Sequence, residues 1–251
     1  MQKNNYDRLA PFYDFISRAV YGQALVRAQR SVLHFLEDGQ DVLVVGGGTG
    51  WILDEIEKLE RKNIAVTYIE ASSKMIALAR KRKVSFPVDF ICEYIENVAF
   101  SSPQLHGESS PHNIPSPQSG QAGTLRRSGY FDIVITPFFF DNFSEEKCLF
   151  LFEKMDKMLR QNGLLLYVDF RLTPQNCKKW KRFLLWTMYL FFRVLTHIET
   201  KQLVDMASIF PKKYREEWSQ YSFHDFVFAA AYRKTFDTFA ERDRGSGQKI
   251  F

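Results

Sequence analysis

Short apolar runs alternate with amphipathic segments along most of the chain, and this alternation predicts an α/β fold. Runs at residues 42–45, 64–69, 131–137 and 164–170 are candidates for buried strands, and stretches with helical periodicity separate several of them. With 251 residues, the chain is long enough for one large domain with its own core. We therefore expect a doubly wound, mostly parallel sheet that binds its ligand beyond the carboxyl ends of the strands.

The first predicted strand leads directly into a glycine-rich loop, GGGTG at residues 46–50, and an apolar stretch with carboxylates follows at 51–56. This order indicates a strand, a tight turn and the start of a helix. The second strand ends at Glu70, about 20 residues after the loop, where a carboxylate can accept hydrogen bonds from a ribose diol. The two features together predict a nucleotide-type site. The alternative is an ordinary glycine-rich turn between a strand and a helix.

The spacing within the loop separates the possible ligands. A dinucleotide-binding loop has the form G-x-G-x-x-G/A, but the bulky Trp51 occupies the place of the third small residue. A phosphate-binding P-loop ends in Gly-Lys-Ser/Thr, and no lysine follows Gly50. The form that remains is G-x-G-x-G, which is the pattern of class I methyltransferases that use S-adenosylmethionine (SAM).

Further motifs follow in the order of that family, so the sequence resembles a class I SAM-dependent methyltransferase over roughly residues 5–170. Its start, YDRLAPFYD at residues 6–14, is similar to the opening of the ubiquinone/menaquinone-biosynthesis methyltransferase group. The resemblance implies a Rossmann-like, doubly wound, mostly parallel seven-stranded sheet with an antiparallel last strand. It also implies a closing hairpin over residues 221–233, with His224 and Asp225 in its turn, and SAM as the cofactor.

The resemblance further implies which residues hold the cofactor. Glu70 corresponds to the ribose-binding acid, and Glu93 follows the third strand at the position of the residue that meets the adenine amino group. The end of the fourth strand faces the methyl group to be transferred, and Tyr13 from the N-terminal segment closes the pocket. The predicted cofactor-binding residues are Tyr13, Gly46, Gly47, Gly48, Gly50, Glu70, Ala71, Ser72, Met75, Glu93, Tyr94 and Thr136.

One position departs from the family pattern. The family usually has Asp or Glu two residues before the first glycine, and this chain has Val44. That carboxylate normally helps to position the methionine end of SAM, so its absence removes a charge-assisted hydrogen bond of about 1.5–3 kcal/mol. We expect weaker binding rather than none, and we hypothesise that Asp7 or Asp14 compensates.

The candidates for catalysis follow from the chemistry of methyl transfer, which mostly requires positioning of the reacting atoms. Residues 137–143 follow the fourth strand, where the methyl should lie, and they combine an aromatic wall with polar groups. Asp141 is the first candidate for a general base or substrate-orienting group and Asp169 the second. Each has an alternative role, which is to cap a helix or to satisfy backbone amides. The sequence shows no metal-binding cluster.

We predict a single methyltransferase domain over residues 1–251 with four additional segments. These are an N-terminal helical cap at 5–40, a flexible insertion at 101–129, a helical lid at 171–215 and a tail at 241–251. Within the lid, residues 180–195 join a basic start to Trp, Phe and Leu residues, but the apolar run is too short for a transmembrane helix. It is either a buried helix or a surface that covers an apolar substrate and touches a membrane.

Charge and cysteine content narrow the class of partner. The net charge of +5 comes from scattered basic residues, and the cluster at 80–83 suits a solvated helix end better than a nucleic-acid site. Three widely spaced cysteines support neither a disulfide framework nor a zinc site. The chain starts without an apolar leader, so we expect a cytoplasmic protein. The oligomeric state stays open.

These observations predict a SAM-dependent methyltransferase that acts on a small, hydrophobic or aromatic acceptor. The narrower prediction is a C-methylation of the quinone-pathway type. One alternative is an O- or N-methyltransferase of a secondary metabolite. The other is a SAM-binding protein without catalysis, which acts as a regulatory module.

Overall fold

The computed structural model describes residues 23–99, 131–172, 203–210 and 214–235. Within these ranges the chain forms a seven-stranded sheet in the order β3-β2-β1-β4-β5-β7-β6. The strands are β1 Asp41–Val45, β2 Ala65–Ile69, β3 Val88–Ile91, β4 Phe131–Pro137, β5 Leu159–Phe170, β6 Tyr214–Ser222 and β7 Val227–Lys234. The helices are α1 Ala24–Leu33, α2 Trp51–Glu57, α3 Ser73–Ala79 and α4 Glu145–Met158. Short 3₁₀ turns cover Ile95–Asn97, Phe140–Asn142 and Met206–Ser208.

Strands β1 to β5 are mutually parallel, and β7 runs antiparallel to both β5 and β6. The predicted fold is confirmed, including its antiparallel last strand. The strand order reverses beside β1, because β2 and β3 lie on one side of it and β4 lies on the other. Such a reversal opens a crevice at the carboxyl ends of the strands, and it lies where the glycine-rich loop leaves β1.

The central strands are apolar on both faces because helices and loops cover both sides of the sheet. Val42 and Val44 of β1 belong to the core layer that includes α1 and α2. Leu43 and Val45 belong to the opposite layer, which includes α4 and Phe210. Each of these four β1 residues is at most 1% exposed. Residues at the carboxyl end of β1 are therefore held firmly in register.

The predicted additional segments lie mostly outside the described residues. Of the N-terminal cap, the part that is described contains α1, which packs through Leu25, Ala28 and Val32. The insertion at 101–129, the tail at 241–251 and residues 180–195 are outside the described ranges. At the end of the predicted lid, β6 already begins at Tyr214, because this residue pairs with Lys234 of β7. Among the described residues, no helix combines the length and apolarity needed to cross a membrane.

The closing hairpin turns where the sequence predicted. Residues 223–226 connect β6 to β7, and Phe223, His224 and Asp225 all have positive φ angles between 50° and 62°. The turn brings β7 back beside β5, so that Phe170 pairs with Val227. This pairing places the hairpin turn at the carboxyl edge of β5.

Replacement of Phe210 by alanine should destabilise the protein strongly. Phe210 is fully buried, and its ring lies 5.0–5.1 Å from the rings of Phe152, Tyr167 and Tyr232. Loss of such a side chain leaves a cavity and costs about 3–5 kcal/mol of unfolding free energy. Chemical denaturation measures the change. Phe150→Ala is the matched control, because Phe150 is 52% exposed and its loss should change stability by about 0.5 kcal/mol or less. Equal effects of the two substitutions would contradict the buried packing of Phe210.

Candidate functional site

The glycine-rich loop joins the end of β1 to the start of α2, and its path requires glycine. Gly46, Gly48 and Gly50 have φ angles of +70°, +63° and +80°. A Cβ atom on Gly46 would lie 2.7 Å from Cδ2 of Phe139, and one on Gly50 would lie 2.7 Å from the backbone of Ala79. The loop is therefore packed closely against both the turn after β4 and the helix α3.

Glu70, directly after β2, is hydrogen-bonded to this loop. Its Oε2 accepts a hydrogen bond from the Gly48 amide at 3.0 Å, and its Oε1 accepts one from the Ser72 amide at 2.9 Å. Glu70 is 8% exposed. The carboxylate that the sequence selected for ribose binding is thus fixed against the glycine-rich loop.

The next predicted residues lie around the same loop. Ser72 caps α3, since its hydroxyl accepts a hydrogen bond from the Met75 amide at 3.2 Å, and Ala71 connects it to Glu70. The Met75 sulfur comes within 3.8 Å of the position that a Cβ of Gly48 would occupy. The start of α3 therefore forms a second wall beside the loop.

The residues predicted near adenine follow β3, at the same edge of the sheet. Glu93 accepts hydrogen bonds from the Tyr94 amide at 2.8 Å and from Nδ2 of Asn97 at 3.0 Å. Tyr94 is 38% exposed. The ends of β2 and β3 are joined here by a hydrogen bond, which the Glu70 amide donates to the Ile91 carbonyl at 3.1 Å.

Thr136 lies at the end of β4, across β1 from Glu70. It is fully buried, and its hydroxyl has no hydrogen-bond partner within the described part of the chain. A buried hydroxyl without a partner is unfavourable. The Thr136 hydroxyl is therefore able to form a hydrogen bond at the strand end where the methyl group was predicted to lie. Tyr13, the predicted closing residue, is outside the described residues.

Asp169 of β5 organises the turn after β4. Its Oδ2 accepts hydrogen bonds from the amides of Phe140 and Asp141 at 3.0 and 3.2 Å, and its Oδ1 accepts one from the Phe170 amide at 2.8 Å. This arrangement matches the alternative role in which the carboxylate satisfies backbone amides. Because Phe139 in the same turn packs on Gly46, Asp169 also supports the glycine-rich loop indirectly.

Asp141 lies beside Asp169 in the same buried region. It is 7% exposed, and its Oδ1 accepts a hydrogen bond from Nδ2 of Asn142 at 2.6 Å. Burial and the negative charge of Asp169 hold the pKa of Asp141 well above its usual value. Burial also raises the pKa of Asp169 to about 7, against the opposing effect of the backbone amides. Burial therefore favours the protonated form of both carboxyls over the charged form.

Two residues that were not predicted from the sequence donate hydrogen bonds to the loop backbone. Tyr68 of β2 is fully buried, and its hydroxyl donates a hydrogen bond to the Gly48 carbonyl at 3.0 Å. Arg82, in the basic cluster predicted to be solvated, donates from Nε to the Thr49 carbonyl at 3.2 Å and pairs with Asp54 at 2.6 Å. The one available signal was a tyrosine within a mostly apolar strand, two residues before Glu70 and on the same face.

Comparison with known proteins supports the fold. No protein-family model matches the sequence, and no curated protein does either. A chain of the complex between the Haloferax volcanii Trm112 methyltransferase activator and a methyltransferase is similar, with 10% identity, a TM-score of 0.60, and coverage of 94% of this chain and 100% of that one. The cyclopropane synthase MmaA2 from Mycobacterium tuberculosis follows with 12% identity, a TM-score of 0.52 and coverage of 83% and 82%. The mitomycin 7-O-methyltransferase MmcR has 14% identity, a TM-score of 0.53 and coverage of 89% and 57%. The fold is that of the class I methyltransferases.

The buried pair Asp141 and Asp169 should make the protein less stable as the pH rises from about 5 to 7. In the unfolded chain both carboxyls lose their protons near the ordinary value of 3.8, whereas the folded state keeps them to higher pH. The folded state then binds more protons, so the unfolding free energy falls as pH rises. Asp141→Asn should make this fall less steep, because one of the two groups that bind a proton in the folded state is removed. Denaturant unfolding across this pH range measures both slopes.

Two other acids with shifted pKa values do not interfere in this window. Burial tends to raise the pKa of Glu55, but its bonds to Arg30 and Lys58 outweigh burial and lower it. The bond to Arg233 lowers the pKa of Glu217 to about 2. Stability from these two groups is lost only as pH falls below about 4.5. An unchanged slope between pH 5 and 7 in Asp141→Asn would show that Asp141 is ionised in the folded protein.

Proposed function

We propose that this protein is a SAM-dependent methyltransferase that acts on a small, hydrophobic or aromatic acceptor. The observation that carries the proposal is the pairing of Glu70 with the Gly48 amide, 3.0 Å apart, in a loop that cannot accept a Cβ at Gly46 or Gly50. Such a loop brings backbone close to a ligand, and the adjacent carboxylate is suited to a ribose diol. The class I methyltransferase fold supports the same cofactor.

The residues that would hold the cofactor follow the edge of the sheet. Glu70 would bind the ribose, Glu93 and Tyr94 would face the adenine, and Thr136 would lie at the methyl end. The backbone of residues 46–50, with Ala71, Ser72 and Met75 beside it, would line the part between them. SAM, when bound, supplies an electrophilic methyl group on a sulfonium. The chain's own contribution is to orient the acceptor and exclude water.

Asp141 is the candidate for proton transfer from an acceptor. Asp169 already accepts hydrogen bonds from the amides of Phe140, Asp141 and Phe170, so we assign it to support of the turn. Asp141 has a raised pKa, so its ionised form would be a strong base that increases in population with pH. We retain a quinone-pathway type of C-methylation as the narrower proposal, with O- or N-methylation as the alternative.

A SAM-binding protein without catalysis is the second candidate function. Val44 favours it, because this fully buried residue stands where the family usually has the acid that positions the methionine end. Binding of the cofactor without turnover of any acceptor would be its signature.

Calorimetric titration with S-adenosylhomocysteine tests the cofactor assignment. We expect the parent protein to bind with a dissociation constant in the micromolar range, about −8 kcal/mol. Glu70→Ala should abolish detectable binding, because it removes both the ribose acceptor and the partner of the Gly48 amide. Glu217→Ala is the matched control, since Glu217 pairs with Arg233 on the hairpin of β6 and β7, away from the loop. Absence of binding by a folded parent protein would refute the proposal.

Turnover of labelled SAM with a panel of quinols and phenols tests the reaction. If Asp141 accepts the acceptor's proton, Asp141→Asn should lower turnover by about 10²–10⁴-fold while affinity for S-adenosylhomocysteine changes little. Asp132→Asn serves as the control. Asp132 accepts a hydrogen bond from the Asp41 amide at 2.8 Å, and both residues lie at the amino ends of their strands, opposite the candidate site. Full turnover by Asp141→Asn would eliminate Asp141 as the base. Binding of SAM without turnover of any acceptor in the panel would favour the regulatory alternative.

A further inference from the structure

Gly48 is held on both sides by residues from β2 and its end. Its amide donates to Glu70 at 3.0 Å, and its carbonyl accepts from the Tyr68 hydroxyl at 3.0 Å. The amide belongs to the peptide plane before Gly48 and the carbonyl to the plane after it, so the two bonds fix both planes. Glycine has unusual backbone freedom, and without such bonds the loop would sample several orientations.

The Tyr68 ring is itself rigidly placed beneath the loop. Its hydroxyl lies where a Cβ of Gly47 would come within 2.3 Å, so the ring packs directly against the loop backbone. Phe90 of β3 packs on the other part of the ring, with 5.4 Å between ring centroids. Tyr68 is fully buried, and the side chain therefore has little freedom to release the Gly48 carbonyl.

The parallel register relates Tyr68 to the position that departs from the family pattern. Val44 of β1 pairs directly with Tyr68 of β2, and both side chains belong to the same core layer. Val44 has no polar atom to contribute to this end of β1, whereas Tyr68 supplies a hydroxyl at the loop from the adjacent strand. The hydrogen bond that fixes the Gly48 carbonyl is thus donated by a residue of β2 and not by one of β1.

We propose that Tyr68 is a positioning residue for the cofactor loop, which it preorganises through the Gly48 carbonyl in a chain that has Val44 in place of the usual acid. This inference rests on the proposed function, because it assigns the preorganised loop to SAM. A loop that is already ordered loses less entropy when a ligand binds, so the hydroxyl contributes to affinity without touching the ligand.

The test compares Tyr68→Phe with Tyr214→Phe. Each substitution removes one tyrosine hydroxyl and keeps the ring. Tyr214 is a suitable control because its hydroxyl donates to Asp156 Oδ1, at a distance of 2.7 Å, in a part of the fold remote from the loop. We expect Tyr68→Phe to weaken binding of S-adenosylhomocysteine about tenfold, the effect of one hydrogen bond. It should also accelerate hydrogen exchange of the Gly48 amide in the unliganded protein. Tyr214→Phe should change neither quantity by more than about twofold.

The two readouts separate failure of this inference from failure of the proposed function. Unchanged Gly48 exchange in Tyr68→Phe, or equal loss of affinity in both variants, would overturn the role of Tyr68. If the parent protein does not bind S-adenosylhomocysteine, the proposed function fails and the role of Tyr68 in cofactor binding fails with it. Gly48 exchange would then still show whether the hydroxyl orders the loop.

Discussion

The backbone of residues 46–50 lies in direct contact with the side chains around it, and the candidate site depends on this close approach. Phe139 leaves no space for a Cβ on Gly46, and Ala79 leaves none on Gly50. A loop packed this closely presents backbone rather than side chains to a ligand. The carboxyl ends of β1, β2 and β4 can therefore converge on one crevice.

Support for this loop comes from both sides of β1. On one side, Glu70 and Tyr68 bind the amide and the carbonyl of Gly48. On the other side, Asp169 binds the backbone of the turn that carries Phe139. A carboxylate in β5 thus acts on a loop more than 100 residues earlier in the chain.

Val44 of β1 supplies no polar group at the start of the loop, and strand pairing sets where the loop lies. Strand β1 keeps its register with β2 and β4, so the loop leaves the sheet at the position typical of the fold. The polar interactions that fix the loop come from neighbouring elements. Similar solved structures share the architecture at only 10–14% sequence identity.

The sequence by itself determined the main elements and the place of the glycine-rich loop and its carboxylate. Short continuous apolar runs locate the parallel strands. The spacing from Gly46 to Glu70 locates the loop and its carboxylate. These features are local, because strand and turn propensities depend on neighbours within a few residues. The sequence also selected Asp169 as a polar group near the site, but left open whether it serves chemistry or backbone amides.

Only the tertiary structure decided which side chains meet across the sheet. The contacts of Tyr68 with Gly48, of Arg82 with Thr49 and of Asp169 with Phe140 join residues 20 to 33 positions apart. Such contacts depend on strand register and on the face to which each side chain points, and a one-residue shift would reverse that face. Tyr13 has no described position, so its role remains a prediction from resemblance. The local sequence pattern specifies where the loop and its carboxylate lie, and tertiary packing specifies which side chains fix them in place.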